Sequence, residues 1–373
     1  LTFKLHTDTS KRFYNVSRDF SKQYAHIYSA RLNTFRNILQ PIINKRWGNK
    51  YKILKLCDLR DKGTTCVIIG TLFKLQELKP SILKELSDQL EIIPQPARFV
   101  SRQLDSLVLE DELQRVKLAG DIIDENEVVT GVVASSHGIT KNHGNHHHHI
   151  LSTRTKSRDI VCSPFLFKKN CFTAGGMYAN HSDETTLSES DVIAASEVVD
   201  SFSAAVSAVT PLDLMPGCKD PTGIMLPQKP FHYCLFPKTI EYKSFNRVSN
   251  PYECDIGGFV CLGTSGEPIK DIKRYSKIGS DLNAMKKTLQ WRHVAPTCPD
   301  TVPSTPCLET DPFTIYNCPA VYYSGNCNEF ASDLFKGDEG QTTRIVCVPD
   351  FCSSKTVALV NLANLECYSM TFA

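Results

Sequence analysis

Two short stretches of the chain carry the residue types that hold a pair of divalent cations. Gly120-Asp121-Ile122-Ile123-Asp124 matches the G-D-x-x-D block of dinuclear metallophosphoesterases, and Gly144-Asn145-His146 matches the start of their G-N-H-(D/E) block. Such a centre needs several carboxylates and imidazoles, because two dications must be neutralised and a bridging water activated. Taken alone, Asp121, Asp124 and His146 would predict a metal-dependent phosphoesterase.

The positions of these residues in the sequence argue against that chemistry. Ligands of this kind converge in loops at the carboxyl ends of parallel strands. Asp121 and Asp124 instead fall in a predicted turn between two barrel strands, and His146 has no predicted strand before it. The chain also contains no D-x-H triplet, which is the usual first block. We interpret both matches as chance occurrences.

The run His146–His149 is a second possible metal ligand set. Consecutive histidines bind Zn²⁺ or Ni²⁺ weakly, but a selective site needs ligands that separate elements of structure hold in place. We therefore expect this run to lie in a solvated loop. No G-x-S-x-G, P-loop or G-x-G-x-x-G sequence occurs, so we predict no cofactor and no bound metal.

Composition and charge narrow the class of protein. Among 373 residues, Lys and Arg number 42 and Asp and Glu number 40, which leaves a formal charge of +2. A protein that wraps nucleic acid needs a clear excess of Lys and Arg on one face. A hydrophobic fraction of 41% supports a packed core. The lack of a long apolar run predicts no membrane span, and 15 cysteines without a secretory signal predict a reducing compartment.

The first part of the chain predicts a helix followed by a small barrel. Apolar residues recur near a 3.6 period over residues 17–46, so we predict one helix there, capped by Ser17 and ended by Trp47-Gly48. Short β-branched segments follow, and Gly70 marks a bend, a combination that favours an OB-fold. The predicted strands are 65–74, 106–112, 114–119 and 128–134. The charged string Glu110–Arg115 is predicted to pair within the barrel.

From residue 188 the pattern alternates between helices and short apolar strands, as is typical of an α/β sheet. The predicted helices are 188–209 and 280–293. The predicted strands are 212–215, 259–263, 320–324, 343–349, 356–362 and 366–372. Residues 135–187 contain the histidine run and show no sustained periodicity, and we predict no regular structure for them.

Longer strings of residues are more specific than any of these short patterns. They are FSKQYAHIYSARL (20–32), GTLFKLQELKPSILKEL (70–86), LVLEDELQRVKL (107–118), DLMPGCKDPT (213–222), NPYECDIGGFVCLGTSG (250–266), RHVAPTCPD (292–300) and VPDFCSSKTVALVNL (348–362). Together, and in this order, they closely resemble the small regulatory (B) subunit family of DNA polymerase delta. The resemblance covers residues 17–134 and 188–373.

This resemblance implies an α+β protein with an N-terminal helix and an OB-fold β-barrel, followed by an α/β sheet of the calcineurin-like phosphoesterase type. We expect an N-terminal helical segment (1–49), a partial OB-fold (50–134), an atypical His-containing insertion or linker (135–187) and an inactive phosphoesterase-like domain (188–373). The family carries its last barrel strands and its first phosphoesterase strands at the third of these segments, where we find no counterpart. We therefore expect an incomplete second sheet, and we hypothesise an alternatively spliced or wrongly predicted product.

The resemblance also implies that the phosphoesterase-like domain has lost its metal ligands. Where an active relative would read G-N-H-(D/E), this chain reads Gly217-Cys218-Lys219-Asp220; where G-H-x-H would fall, it reads Gly325-Asn326-Cys327-Asn328. A neutral amide oxygen cannot offset two divalent charges in a partly buried pocket. The degenerate former metal-site positions are therefore Cys218, Asp220, Ser265, Asn326 and Asn328, and no residue is expected to be catalytic.

The function that the resemblance implies is assembly. In this family the small subunit joins the catalytic chain of the polymerase, through that chain's C-terminal cysteine-rich module, to a third accessory subunit. We expect a non-enzymatic subunit that acts in the nucleus in DNA replication and repair synthesis, with indirect contact to DNA and none to membranes. Phe231, Tyr233, Phe236 and Phe313 are candidate anchors for these partners, because aromatic residues dominate interface hot spots, although core packing is the favoured interpretation.

Two other functions stay open at this point. One is a metal-dependent phosphoesterase that uses Asp121, Asp124 and His146. The other is a stand-alone OB-fold protein that binds single-stranded nucleic acid, which needs exposed aromatic residues flanked by Lys or Arg on strands. Phe73-Lys74 is the candidate for that role.

Overall fold

A computed structural model describes residues 6–14, 23–59, 65–80, 97–101, 105–118, 124–139, 141–143, 146–149, 172–174, 189–306, 309–337 and 340–372. The helices are α1 (Lys11–Tyr14), α2 (Ala25–Trp47), α3 (Glu189–Ser207), α4 (Glu267–Tyr275), α5 (Asp281–Trp291) and α6 (Phe351–Ser354). The barrel strands are β2 (Ile53–Leu54), β3 (Thr65–Leu75), β4 (Ser106–Glu110), β5 (Arg115–Leu118), β6 (Val133–Ile139), β7 (Lys141–His143) and β8 (His146–His149). The other strands are β1 (His6–Asp8), β9 (Phe172–Ala174), β10 (Leu212–Leu214), β11 (Phe245–Arg247), β12 (Tyr252–Ile256), β13 (Phe259–Thr264), β14 (Val321–Cys327), β15 (Ala331–Lys336), β16 (Thr342–Pro349), β17 (Thr356–Asn361) and β18 (Glu366–Thr371).

The barrel is built around the long strand β3. This strand pairs antiparallel with β6 through residues 65–71 and with β4 through residues 71–75. Gly70 lies where the pairing passes from one neighbour to the other, as the predicted barrel bend requires. Beyond β4 the sheet continues through β5, β8 and β7. The strands predicted at 65–74, 106–112 and 114–119 are confirmed as β3, β4 and β5.

The strand predicted at 128–134 is wrong in its bounds, because β6 begins at Val133. A 3₁₀ turn over residues 125–127 precedes it, and Asp124 caps that turn by accepting the N–H of Asn126 at 2.8 Å. The β-branched residues that suggested a strand are buried for another reason. Val129 and Val132 pack into the main core from a turn, and β-propensity reports burial as much as strand geometry.

The expectation of a solvated loop at the histidine run is also wrong. Residues 146–149 form β8, which pairs in parallel with β5 and antiparallel with β7. Strand pairing uses the N–H and C=O groups of the main chain, which every one of these residues supplies whatever its side chain. Hydrophobic periodicity therefore could not reveal this strand.

Helix α2 packs across the barrel. Its Leu32, Phe35 and Ile43 are buried against the barrel strands in one hydrophobic cluster. The predicted helix is confirmed, and it ends at Trp47 before Gly48, whose φ is +57°. It begins at Ala25 rather than at residue 17, and the predicted cap Ser17 lies outside the described residues.

The main sheet of the second unit has six strands in the order β1-β12-β13-β14-β16-β15. The central strands β13, β14 and β16 are parallel, whereas both edges pair antiparallel. Strand β1, from the start of the chain, pairs with β12 on the edge. The N-terminal segment expected to be helical therefore supplies a strand to the sheet of the second unit.

A smaller sheet lies beside it, with β10 paired in parallel between β11 and β9. Because β9 comes from residues 172–174, the expectation that residues 135–187 supply no strand to this unit is wrong. Helix α3 packs on this sheet through Val199, in a cluster with Leu212, Leu214, Phe231, Phe236 and Phe245. The predicted helices α3 and α5 and the predicted strands β10, β13, β14, β16, β17 and β18 are confirmed.

One hydrophobic core joins the two units. The main cluster contains Ile27 of α2, Leu72 of β3, Ile269 of α4, Met285 of α5 and Tyr322 of β14, all buried. The barrel and the main sheet therefore bury each other's apolar faces. Among the helices that the structure describes, none is long and apolar enough to span a membrane.

Candidate functional site

The loops that follow the parallel strands carry the residues predicted as former metal-site positions. Cys218 and Asp220 follow β10, Ser265 lies between β13 and α4, and Asn326 and Asn328 lie at the end of β14. In α/β sheets this edge is where ligands bind. The structure brings Cys218, Ser265 and Asn326 together there, whereas Asp220 accepts a hydrogen bond within its own turn and the N–H of Asn328 donates to Asp281.

The carboxylate of Glu267, at the start of α4, is the acidic group of this site. Its Oε1 accepts the N–H of Cys218 at 2.9 Å, and its Oε2 accepts the hydroxyl of Ser265 at 2.6 Å. Asn250 Nδ2 donates to the same Oε2 at 3.3 Å. The carboxylate is thus satisfied by neutral donors of the chain itself.

Asn250 is the hub of the site. Its Nδ2 donates to Gln228 Oε1 and to Ser265 Oγ, both at 2.6 Å, and its Oδ1 accepts the N–H of Ser265 at 3.2 Å. Gln228 in turn donates to the carbonyls of Gly217 and Gly223, each at 3.1 Å. Asn250 and Gln228 are fully buried. Polar groups buried in this way are stable because each has a partner.

The backbone closes the site further. Asn326 Nδ2 donates to the carbonyl of Ser265 at 2.8 Å, which links the β14 loop to the β13 loop. Gly266 has a φ of +111°, and a Cβ on it would lie 2.3 Å from the carbonyl oxygen of Gly325. These two loops therefore pack directly on each other.

Asp220 and Asn328 have separate structural roles. Asp220 is buried and accepts the N–H of Gly217 at 2.7 Å, so it shapes its own turn. The N–H of Asn328 donates to Asp281 at 3.0 Å, beside a cavity of about 80 Å³ that Lys273 and Ser280 also line. Lys273 pairs with Asp281 at 2.6 Å, so the lysine beside this cavity already has a carboxylate partner.

The donor set does not fit a dinuclear metal centre. Partial burial and the nearby Glu267 carboxylate raise the pKa of the Cys218 thiol, whereas metals bind the thiolate. The other side chains of the network are neutral amides and a hydroxyl, apart from Glu267, and the Asp220 carboxylate accepts the N–H of Gly217 within its own turn. In the part of the chain that the structure describes, no group of three or more His, Cys, Asp and Glu side chains could hold a metal ion.

The residues of the discarded phosphoesterase match are in the barrel. Asp124 caps the turn before β6, and His146 is the first residue of β8. Asp121 lies outside the described residues. Neither described residue follows a strand of the second unit, in agreement with our interpretation of both matches as chance.

The aromatic anchor candidates divide into two groups. Phe231, Phe236 and Phe313 are fully buried, so core packing is confirmed for them. Tyr233 is 56% exposed, so core packing does not explain it.

The nucleic-acid candidate Phe73-Lys74 is wrong. Lys74 is buried, its Nζ donates to the carbonyl of Tyr275 at 3.2 Å, and it lies 3.6 Å from Asp105. Phe73 is partly exposed, with the guanidinium of Arg115 5.1 Å from its ring centroid, but the buried Lys74 cannot reach a phosphate.

The charged string of the barrel behaves partly as predicted. Arg115 pairs with Glu110 at 2.8 Å, within the barrel. Glu112 instead pairs with Arg36 of α2 at 2.7 Å, and Asp111 accepts the N–H of Leu56 at 3.1 Å.

A second polar cluster, which the sequence pattern did not reveal, lies between the two units. Arg31 of α2 and Asp311 are completely buried, with Arg31 Nε 2.5 Å from Asp311 Oδ2. Arg31 also donates to the carbonyls of Gly131 in the barrel and Pro296 in the second unit, at 3.1 and 2.8 Å. His293 Nε2 lies 2.8 Å from the same carboxylate oxygen. This cluster joins the barrel to the second unit.

The electrostatics of this cluster follow from burial and pairing. Burial alone would raise the pKa of Asp311, but the Arg31 guanidinium and His293 outweigh it and hold that pKa well below its usual range. Burial lowers the pKa of His293. Asp311 is therefore an anion balanced by Arg31, and His293 is neutral at pH 7.

Sequence reasoning missed the residues that hold both clusters together. Asn250 and Glu267 stand in or beside the string at 250–266, but no spacing pattern marks them as partners. Gln228 lies 22 residues before Asn250, and Arg31 lies 280 residues before Asp311. A buried polar residue inside an apolar stretch, such as Arg31 on the packed face of α2, is the one local signal that could have drawn attention to them.

Fold and site together define a class of protein: an OB-fold barrel packed on an α/β sheet whose strand ends carry a closed amide network. The family model for the DNA polymerase delta subunit OB-fold domain matches residues 23–147, and the model for the B-type subunits of DNA polymerases alpha and epsilon matches residues 151–332. These matches run through most of residues 135–187, so the expectation that this stretch lacks a counterpart in the family is wrong.

Individual relatives agree with the family models. DNA polymerase delta subunit 2 of Drosophila melanogaster is 36% identical over 407 residues, with 95% of this chain and 94% of that protein covered. The DNA polymerase delta small subunits of Arabidopsis thaliana and Saccharomyces cerevisiae are 32% and 27% identical, each over 94% of this chain and over 91% and 89% of their own lengths. The chain belongs to the DNA polymerase delta small-subunit family. It is an accessory subunit of that polymerase, with a role in DNA replication.

Proposed function

We propose that this protein is a non-catalytic scaffold that holds the catalytic chain of polymerase delta and a third accessory subunit together in the nucleus, in replication and in repair synthesis. The observation that carries the proposal is the hydrogen-bond network of Gln228, Asn250, Ser265 and Glu267. These groups satisfy one another at the strand ends where a phosphoesterase would hold its ions. A sheet edge closed in this way does not present the ligands with which a dinuclear centre would activate a water molecule.

We also propose that this site derives from the metal centre of a phosphoesterase. Cys218, Asp220, Ser265, Asn326 and Asn328 occupy the positions of former metal ligands in a phosphoesterase-like second domain. Support comes from the convergence of Cys218, Ser265 and Asn326 on one network, through Glu267 and the Ser265 carbonyl. The buried turn of Asp220 and the Asp281 contact of Asn328 are the structural roles that replaced the older one.

The shared core of barrel and sheet suits a scaffold. Partners that contact both units meet a body whose two halves are joined by buried apolar and polar contacts, so little order has to be created on binding. Tyr233, exposed beside α3, is the candidate aromatic anchor for such a partner. We propose that the catalytic chain is held through its C-terminal cysteine-rich module, as the family resemblance implies.

The direct test is co-purification of the full chain with that cysteine-rich module. We expect a stable complex at equal stoichiometry on size exclusion. A module whose metal-binding cysteines are replaced by serine is the matched control and should not bind. Separate elution of the intact module and the full chain would contradict the proposal.

The enzyme alternative has its own test. We expect no Mn²⁺-dependent hydrolysis of a generic phosphodiester and no metal retained after desalting. Replacing Glu267 by Gln should leave this negative result unchanged. Hydrolysis that the Glu267→Gln change abolishes would show that the strand ends are catalytic and would overturn the scaffold assignment.

A further inference from the structure

A cluster of cations and aromatic rings lies on the barrel where α2 ends. Over residues 45–55 the chain has basic side chains and no acidic one. The five basic side chains of this stretch are all exposed: Lys45, Arg46, Lys50, Lys52 and Lys55. Between them stand Trp47 and Tyr51, which are partly exposed.

The aromatic rings form one group with a histidine of β6. The ring of His137 stacks on Trp47 with centroids 5.5 Å apart and an interplanar angle of 21°, and it lies 4.1 Å from the ring of Tyr51. Arg46 lies over Trp47 at 5.0 Å, and Lys50 lies over Tyr51 at 5.3 Å. We call the surface formed by Lys45, Arg46, Trp47, Lys50, Tyr51, Lys52 and His137 the basic-aromatic surface.

The lysines of this surface differ from several other surface cations. Arg36, Lys79, Arg115, Lys286 and Lys287 each pair with a carboxylate. Within the described residues, no such ion pair involves Lys45, Lys50 or Lys52. Burial and the charges of Lys50 and Arg46 lower the pKa of His137, as expected beside clustered positive charge.

We propose that the basic-aromatic surface binds single-stranded nucleic acid. Lys45, Lys50 and Lys52 contact phosphates, and Trp47 and Tyr51 offer ring surface to bases. Single strands are bound elsewhere by this same combination, a cationic track beside aromatic rings on which bases of any identity stack. The rings favour nucleic acid over an acidic peptide, whose carboxylates would use only the charges. This function is independent of scaffolding and would place a DNA contact on the subunit itself.

The test is fluorescence anisotropy of labelled oligothymidylate with the full chain over a series of salt concentrations. We expect binding that weakens with salt, because each phosphate contact releases counterions. The triple variant Lys45→Ala/Lys50→Ala/Lys52→Ala should bind about tenfold more weakly and lower the salt slope by about 2. The matched control is Lys229→Ala/Lys243→Ala/Lys336→Ala, which removes the same charge from exposed positions of the second unit. It should keep the original affinity.

A second measurement reports on the rings. The chain has two tryptophans, so in a Trp291→Phe background the emission comes from Trp47. We expect oligothymidylate to quench it. Equal losses of oligothymidylate affinity in the two triple-lysine variants would show non-specific electrostatic attraction. Equal binding of polyglutamate without any quenching would assign the surface to acidic protein segments. Either result, or a lack of binding at low salt, would overturn the proposal.

Discussion

Arg31 shows how much one side chain can determine in this molecule. It is buried with Asp311 as a pair and donates to carbonyls on both sides of the junction between the barrel and the second unit. A buried pair adds little net stability over an apolar one, but removal of one partner leaves an uncompensated charge. Its role is therefore to specify how the two units meet.

The first prediction follows from the large cost of removing one partner of a buried ion pair. Arg31→Leu should lower the free energy of unfolding by about 3–5 kcal/mol, because Asp311 stays buried without its cation. The matched control is Arg36→Leu, which breaks a half-exposed pair on the same helix and should cost less than about 1 kcal/mol. Urea denaturation of both variants checks this. Equal midpoints for the two would contradict it.

His293 makes a second prediction, about pH. Burial lowers its pKa in the folded chain, whereas the unfolded chain takes up a proton below about pH 6.5. The unfolded state therefore binds more protons, and stability falls as the pH is lowered from 7 towards 5. Asp311 adds nothing in this window, since its pKa is lowered and its contribution is lost only below about pH 4.

His293→Gln should reduce that slope by up to about 1.4 kcal/mol per pH unit, since one titrating group is removed. Glutamine keeps a donor for Asp311. Urea denaturation at intervals between pH 5 and pH 7 measures the effect, with His232→Gln, at an exposed histidine, as the control. An unchanged slope in the His293 variant would mean that another group titrates.

Among the elements, the turn before β6 is the one that the junction depends on. Gly131 has a φ of +92°, and a Cβ there would lie 1.9 Å from the carbonyl oxygen of Pro296. The same turn presents the Gly131 carbonyl to Arg31. The β-branched residues suggested a strand here, but the structure has a turn at residues 130–131 instead.

The third prediction tests this close approach. Gly131→Ala should destabilise the protein by about 3 kcal/mol, as strained backbone and overpacking add. Gly258 has a similar φ of +90° with open space around it, so Gly258→Ala isolates the backbone contribution, about 1 kcal/mol. Thermal unfolding of the two variants makes the comparison. If Gly258→Ala lowered the stability as much as Gly131→Ala does, the close contact between Gly131 and Pro296 would not explain the effect.

In the molecule as a whole, the shared core makes two architecturally distinct units into one body. Buried residues of α2, β3, α4 and β14 belong to a single hydrophobic cluster. Separation of the units would expose this cluster and break the Arg31 contacts at once. We therefore expect the barrel and the second unit to unfold together.

The fourth prediction uses the two tryptophans as separate reporters. Trp47 lies against the barrel and Trp291 ends α5. Single-tryptophan variants, Trp291→Phe and Trp47→Phe, should give coincident urea transitions, as a cooperative two-state change requires. Midpoints that differ by more than the shift each substitution itself causes would show two independent domains.

The sequence by itself determined the local elements and the residue types at the strand ends. Local patterns were enough for these elements: a 3.6 period for α2, amphipathic composition for α3, and β-branched or short apolar runs for β3 and the central strands. The sequence alone also shows that the expected metal-ligand positions at the strand ends lack histidine. Residues 146–149 and 172–174 were missed, because their strands are held by main-chain pairing to distant partners.

Only the tertiary structure decided which polar groups meet. Gln228, Asn250 and Glu267 come from different loops, and Arg31 and Asp311 are 280 residues apart. Their pairing depends on how layers stack, and that is settled by long-range burial of apolar faces rather than by any local spacing. The closed network at the strand ends, the junction of the two units and the basic-aromatic surface are for this reason properties of the packed molecule.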